Sequence, residues 1–405
     1  MLSLAALVLL QPQANVLATP EPGFRRPPQT VPGDKAVKIL FLRTRYADDP
    51  PTLVSYQPDL LDRVAKRIDE YFRRESYGLF TVGSYEISSL FRVAAKKDYI
   101  QIHEEAGGPP IDKHKPLERD AIDGLNQATN RHVGQIFDFI CIEAKNPGQR
   151  NFAFAASKLS FYPSAPNEYA YFHELGHCMG FGHSNALISE VPGETLPPRD
   201  SRYIAEYGDH ASAMGAVDIW AYSLLERYTM GWIGDSDKYP RYIKKFDWGE
   251  NSFVSHDQVS PKGCVGGYVE GRFGIEAAEY RRDKTKRIPV PGADEVPQRL
   301  WFSLLTTGGI GRNYADLPRP FLLAHITGAA FNGNKGLLQQ DNRTTVLLDL
   351  SPSDNPQDLR PISKGLFEGQ SATIRQTDGS AITVKFLRYD KTDRRAVIDL
   401  RLEPK

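Results

Sequence analysis

Sulfur is scarce in this chain, which carries three cysteines and four methionines in 405 residues. Cys141, Cys178 and Cys264 permit at most one internal disulfide and leave a thiol over, which excludes a fold built on a disulfide framework. Excess charge is lacking too: Lys+Arg and Asp+Glu are 50 each, so electrostatics give no reason to expect nucleic acid or an anionic membrane as partner. The basic run from Arg281 to Arg287 has no interleaved aromatics to stack on bases and reads as a solvated loop. No apolar run approaches the roughly 20 residues of a membrane span. Solenoid repeats are absent, and Gly308-Gly309-Ile310-Gly311 lacks the following helix that a nucleotide loop needs.

What is present starts with an apolar stretch from Leu2 to Leu10, then Gln11-Pro12-Gln13 and the short side chains Val16 and Ala18. This pattern predicts a secretory signal over residues 1–18, without the usual basic start, and an extracellular or periplasmic protein. Residues 19–34, rich in Pro, read as a linker.

Folded structure is expected from Lys35. Val37 to Leu42 suits a buried strand, and Leu60, Leu61, Val64, Ile68, Tyr71 and Phe72 recur at helical spacing. Strands within Leu79–Val93, a helix over Leu117–Asn130, a strand over Phe137–Ile142, a weaker one between Phe152 and Tyr162 and a helix from about Asn167 follow. After Met214 the stripe of Val217, Trp220, Ala221, Leu224, Leu225 and Tyr228 predicts a further helix ending at Gly231. From Phe246 the helical stripes stop and short strands take over. The expectation is an α+β chain with a catalytic domain over 35–245 and an all-β, sandwich-like domain over 246–405.

The chemistry concentrates in His173-Glu174-Leu175-Gly176-His177-Cys178-Met179-Gly180-Phe181-Gly182-His183, which matches H-E-x-x-H-x-x-G-x-x-H at every specified position. Residues four apart on a helix share a face, so His173 and His177 can hold one metal ion. Gly180 can leave the helix through positive φ and bring His183 round as third ligand. Three imidazoles leave a tetrahedral Zn2+ one position for water, whose pKa zinc lowers to about 7. Glu174 is placed to act as general base and to pass the proton to a leaving amine. Downstream, Met214 stands in a Gly-flanked turn, as a Met-turn beneath the zinc would. Cys178 points about 100° away from the neighbouring ligand, so it reads as core or as a disulfide partner of Cys141. Asn342-Arg343-Thr344 is a glycosylation sequon. Asp354 and Asp358 read as a solvated loop rather than a calcium site.

Through HELGHCMGFGHS, EYGDHASAMG and Gly231-Trp232 the sequence resembles the gametolysin family of metallopeptidases, of the metzincin clan. The segment Asp59–Phe80, with Tyr71-Phe72 and Ser76-Tyr77-Gly78, is similar to the helix and turn of that family, and Ser184 fits its pattern. The resemblance covers roughly residues 36 to 235. It implies a mixed twisted sheet with a zinc-site helix, a cleft and a small lower subdomain, followed by a β-rich extension. It also implies peptide-bond hydrolysis in extracellular-matrix or cell-wall protein. Ala216, two residues after the Met, departs from the astacin-like pattern, where a tyrosine adds a ligand. Two other readings stand beside this one: a zinc hydrolase acting on a non-peptide bond, and a non-catalytic extracellular binding protein, against which an intact Glu174 argues.

Overall fold

The computed structural model describes residues 31–50, 56–95, 114–145, 151–153, 157–163, 168–215, 221–247, 249–257, 260, 262–280, 282–306, 319–332, 338–351, 355 and 358–405. The expected signal over 1–18 and most of the linker lie outside them, as do Gly308–Gly311 and Asp354. The chain is mixed α/β, with three sheets, few helices and a mostly β C-terminal region.

The first sheet, six-stranded, holds β1 (Ala36–Tyr46), β2 (Thr81–Ile87), β3 (Phe91–Val93), β4 (Phe139–Ala144), β5 (Phe152–Ala153) and β6 (Leu159–Phe161). Its order is β2-β1-β4-β6-β5, with β3 also on β1; all pairs are parallel except that of β5 with β6. Period-two alternation divides the central strands between two cores. Val37, Ile39, Phe41, Phe139 and Cys141 face α1 (Pro58–Glu75) and α4 (Glu168–Cys178), while Leu40, Leu42, Ile140 and Ile142 face α2 (His114–Thr129). A short α3 (Val133–Ile136) precedes β4. Strands buried on both faces read as continuous apolar runs, which is why they were visible in the sequence.

The second sheet, seven-stranded, runs β8 (Arg202–Ala205), β7 (Ser184–Ser189), β14 (Leu338–Leu347), β13 (Phe321–Asn332), β12 (Gln298–Leu305), β11 (Gly263–Gly271), β9 (Arg241–Lys245). The third, four-stranded, runs β10 (Gly249–His256), β17 (Arg395–Glu403), β16 (Ala381–Asp390), β15 (Ser371–Arg375). These two share one apolar core: Leu187, Ile204, Phe302, Ile326 and Val346 of one meet Phe253, Ile382, Val384, Ile398 and Leu400 of the other. The C-terminal region is mostly β, as expected, but its larger sheet is not built from the tail alone. The sheet takes strands from both sides of the boundary placed at 245/246, because β7 pairs parallel with β14 through Ser184 and Thr345. Residues 184–205 therefore fold with the tail, not apart from it.

Two further corrections concern ends of elements. Val31 is buried, and the Trp232 indole donates to the Gly33 carbonyl at 2.7 Å, so packing begins before Lys35. The helix expected after Met214 is only α5 (Leu224–Thr229), started by a capping box between Ser223 and Glu226. Ala221 instead bridges to Ser212 in extended pairing, and residues 216–220 lie outside the described set. A last short helix is α6 (Pro361–Lys364). Among the described residues no helix is long and apolar enough to cross a membrane.

Candidate metal centre

Helix α4 is buried along Ala170–Cys178, and this puts His173 and His177, one turn apart, on one face. Its end is set by Gly180 at φ 105°: the Gly180 amide donates to His177 O at 2.9 Å, and the Phe181 amide reaches back to Gly176 O at 3.0 Å. The chain then turns and enters β7, whose first residue follows His183. Ligand-capable atoms of His173, His177 and His183 all lie within 4.8 Å of one another.

Each imidazole is oriented through Nδ1. His173 Nδ1 meets the Ala213 carbonyl, His177 Nδ1 the Phe181 carbonyl and His183 Nδ1 the Glu206 carboxylate, each at 2.9 Å. All three partners are acceptors, so each Nδ1 carries the proton and each Nε2 presents a lone pair. The Nε2 atoms of His177 and His183 face each other at 3.1 Å. Two lone pairs at that separation repel unless a cation lies between them. Zinc bonds of about 2.0–2.1 Å in tetrahedral array would set nitrogens about 3.3 Å apart, so the donor set fits such an ion. Burial pushes His173 down to about 4, and burial with the neighbouring imidazoles pushes His177 down to about 3, so both are neutral around pH 7 and could serve as ligands.

Glu174 is 5% exposed and accepts a hydrogen bond from the backbone of Ala153 in β5. Burial pushes its carboxyl up to about 8. Met214 is fully buried against α4, where a Cβ on Gly176 would stand 2.3 Å from its Sδ. Glycine at that position of the motif is thus a matter of space. The turn itself is pinned: the Met214 amide donates to Ser212 Oγ at 3.0 Å, the Met214 carbonyl accepts from the Ser184 amide at 2.8 Å, and the Tyr169 hydroxyl donates to Gly215 O. The three motif histidines therefore converge, with Glu174 next to His173 on the helix and Met214 packed against Gly176 of the same helix.

No family model matches the chain, and no curated protein is significantly similar to it.

Several residues that belong to no recognisable motif support the cluster. Thr345 Oγ1 donates to Ser184 Oγ at 2.8 Å, which donates to Glu226 Oε1 at 2.9 Å, and Ser212 Oγ reaches both Glu226 oxygens at 3.3 Å. Burial pushes Glu226 up to about 7. Buried Asp209 takes the Ala211 amide at 2.8 Å and His325 Nε2 at 2.9 Å, which ties the turn before Met214 to β13. The Gly182 amide donates to Arg343 O at 3.0 Å. Within the sequon, Asn342 has its amide oxygen buried and Thr344 is buried as well. The three cysteines are free and buried; Cys178 Sγ donates to Leu159 O at 3.6 Å, so it belongs to the core.

Proposed function

We propose that the chain is a secreted zinc-dependent endopeptidase, gametolysin-like, that hydrolyses peptide bonds of extracellular or cell-wall proteins. The observation that carries this reading is the cluster of three Nδ1-anchored imidazoles, with a buried glutamate, Glu174, next to His173 on the same helix. Zinc held there would supply a Lewis acid and an acidified water. His173, His177 and His183 would hold it, and Met214 would underlie it without ligating. Glu174 follows the first ligand on the helix and is anchored by Ala153; the charge of a bound zinc would favour its carboxylate form, which would take a proton from the attacking water and return it to the amine as the C–N bond breaks. Peptide is favoured over other amides because β5 is the edge strand of the first sheet, and an extended backbone laid along such an edge would run beside Glu174.

The test is metal removal and return. Treatment with a strong chelator should abolish cleavage of a peptide library, and stoichiometric zinc should restore it. Cleavage that persists in metal-free protein would refute the proposal.

A further inference from the structure

The third imidazole differs from the other two in how it is held. His173 and His177 sit on a helix and donate to buried carbonyls, whereas His183 lies between elements and relies on Glu206, whose side chain is 59% exposed. A hydrogen bond to so exposed a carboxylate competes with water. A second contact meets the same ring: the Tyr207 ring centroid lies 4.0 Å from that of His183, tilted by 41°, and 5.8 Å from that of His173.

Tyr207 occupies its place against a backbone preference. Its φ is 59°, a conformation that glycine adopts freely and other L-residues adopt at a cost. The adjacent Gly208 does not take this burden. It serves close approach, since a Cβ there would stand 2.9 Å from Ala205 O. The strained conformation is held by buried Asn185, whose Oδ1 accepts from the Tyr207 amide at 3.1 Å while its Nδ2 donates to His183 O at 3.2 Å and to the Tyr280 hydroxyl at 3.2 Å. One side chain thus ties the backbone of the tyrosine to that of the ligand. A position that would suit glycine carries an aromatic ring, 38% exposed and set against a ligand, so the ring is what the position provides.

We infer that Tyr207 is a positioning residue of the metal centre: its ring holds the imidazole of His183 in the ligating orientation, as the aromatic half of a bracket whose polar half is Glu206. The inference rests on the metal-site reading and is independent of peptide as the substrate.

Zinc affinity by chelator competition, and the melting temperature of the metal-free protein, decide it on the parent, Tyr207→Gly and Tyr207→Phe. Tyr207→Gly should weaken zinc about 10–100-fold, the usual range for a residue that orients a ligand, with the metal-free melting temperature unchanged or raised. Tyr207→Phe keeps the ring and should bind zinc within about twofold of the parent, by the same argument. A Tyr207→Gly protein that binds zinc like the parent would overturn the inference, as would a loss of affinity matched by a lower metal-free melting temperature. Equal weakening in Tyr207→Phe would do so too, because the role would then be the hydroxyl's. A parent that takes up no zinc refutes the metal-site reading and the inference with it, while a zinc-binding parent with unaffected variants refutes the inference alone.

Discussion

The helix that carries His173 and His177 packs within the N-terminal part of the chain, whereas the strand after His183 pairs with the C-terminal part. The first two stand on a helix packed against the first sheet, with Nδ1 partners from the segment that ends the helix and from the turn before Met214. The third immediately precedes the strand that joins the seven-stranded sheet, and what fixes that segment comes from the far half of the sequence: the Arg343 carbonyl and Thr345. The candidate metal centre therefore lies at the seam of two packing units. Loss of the second unit would remove the support of one imidazole in three.

The largest effect expected from this contrast is that of cutting at residue 245. The fragment loses β14, the partner of β7, and bares Leu187 and Ile204, which are buried in the shared core. It should be insoluble or lack fixed tertiary structure, and so fail to bind zinc. A folded, zinc-binding fragment over 31–245 would show that the seam carries no weight.

A smaller effect concerns pH. Burial raises Glu226 from its ordinary 4.5 to about 7, so the folded protein holds this proton more tightly than the unfolded chain. Its contribution to stability is fully present below about 4.5 and is lost as pH rises through about 7, by about 3 kcal/mol if the whole shift is realised. Denaturant titrations of metal-free protein between these limits should show that decline in the parent and its absence in Glu226→Gln. Identical pH profiles would place the titration elsewhere.

The smallest effect is that of Thr345→Val, which removes the hydroxyl bonded to Ser184 and should cost about 1 kcal/mol, the usual net worth of one such bond. A double-mutant cycle with Ser184→Ala reads the coupling across the seam directly. Zero coupling would mean that the two units merely touch there.

The same contrast explains what was legible in the sequence. The helical ligand pair, the stop at Gly180 and the buried strands β1 and β4 follow from periods of 3.6 and 2 and from one residue's freedom at positive φ, all local rules. The pairing of Ser184 with Thr345 spans 161 residues and that of Asp209 with His325 spans 116, and no local period encodes them. The boundary at 245/246 was misplaced for this reason: composition changes there, but β7 and β8, earlier in the chain, had already left the first unit. The helix expected after Met214 failed differently. Ala221, Leu224, Leu225 and Tyr228 recur at helical spacing because they are buried, yet Ala221 enters a different cluster from an extended bridge, and the helix begins only after Ser223. Tyr207 stood inside the string that suggested the Met-turn, but nothing in the string signals its backbone strain or its ring on His183.

If Glu174 is the base beside a zinc ion held by the three imidazoles, losing its charge should spare the metal and stop the reaction. Glu174→Gln keeps shape and side-chain length and removes the base, so zinc content and peptidase rate should be measured on one preparation of parent and variant. The account predicts full zinc in both and a turnover lower by at least about 10²–10⁴ in the variant, the usual worth of general base catalysis. Full zinc with near-parental turnover would contradict it.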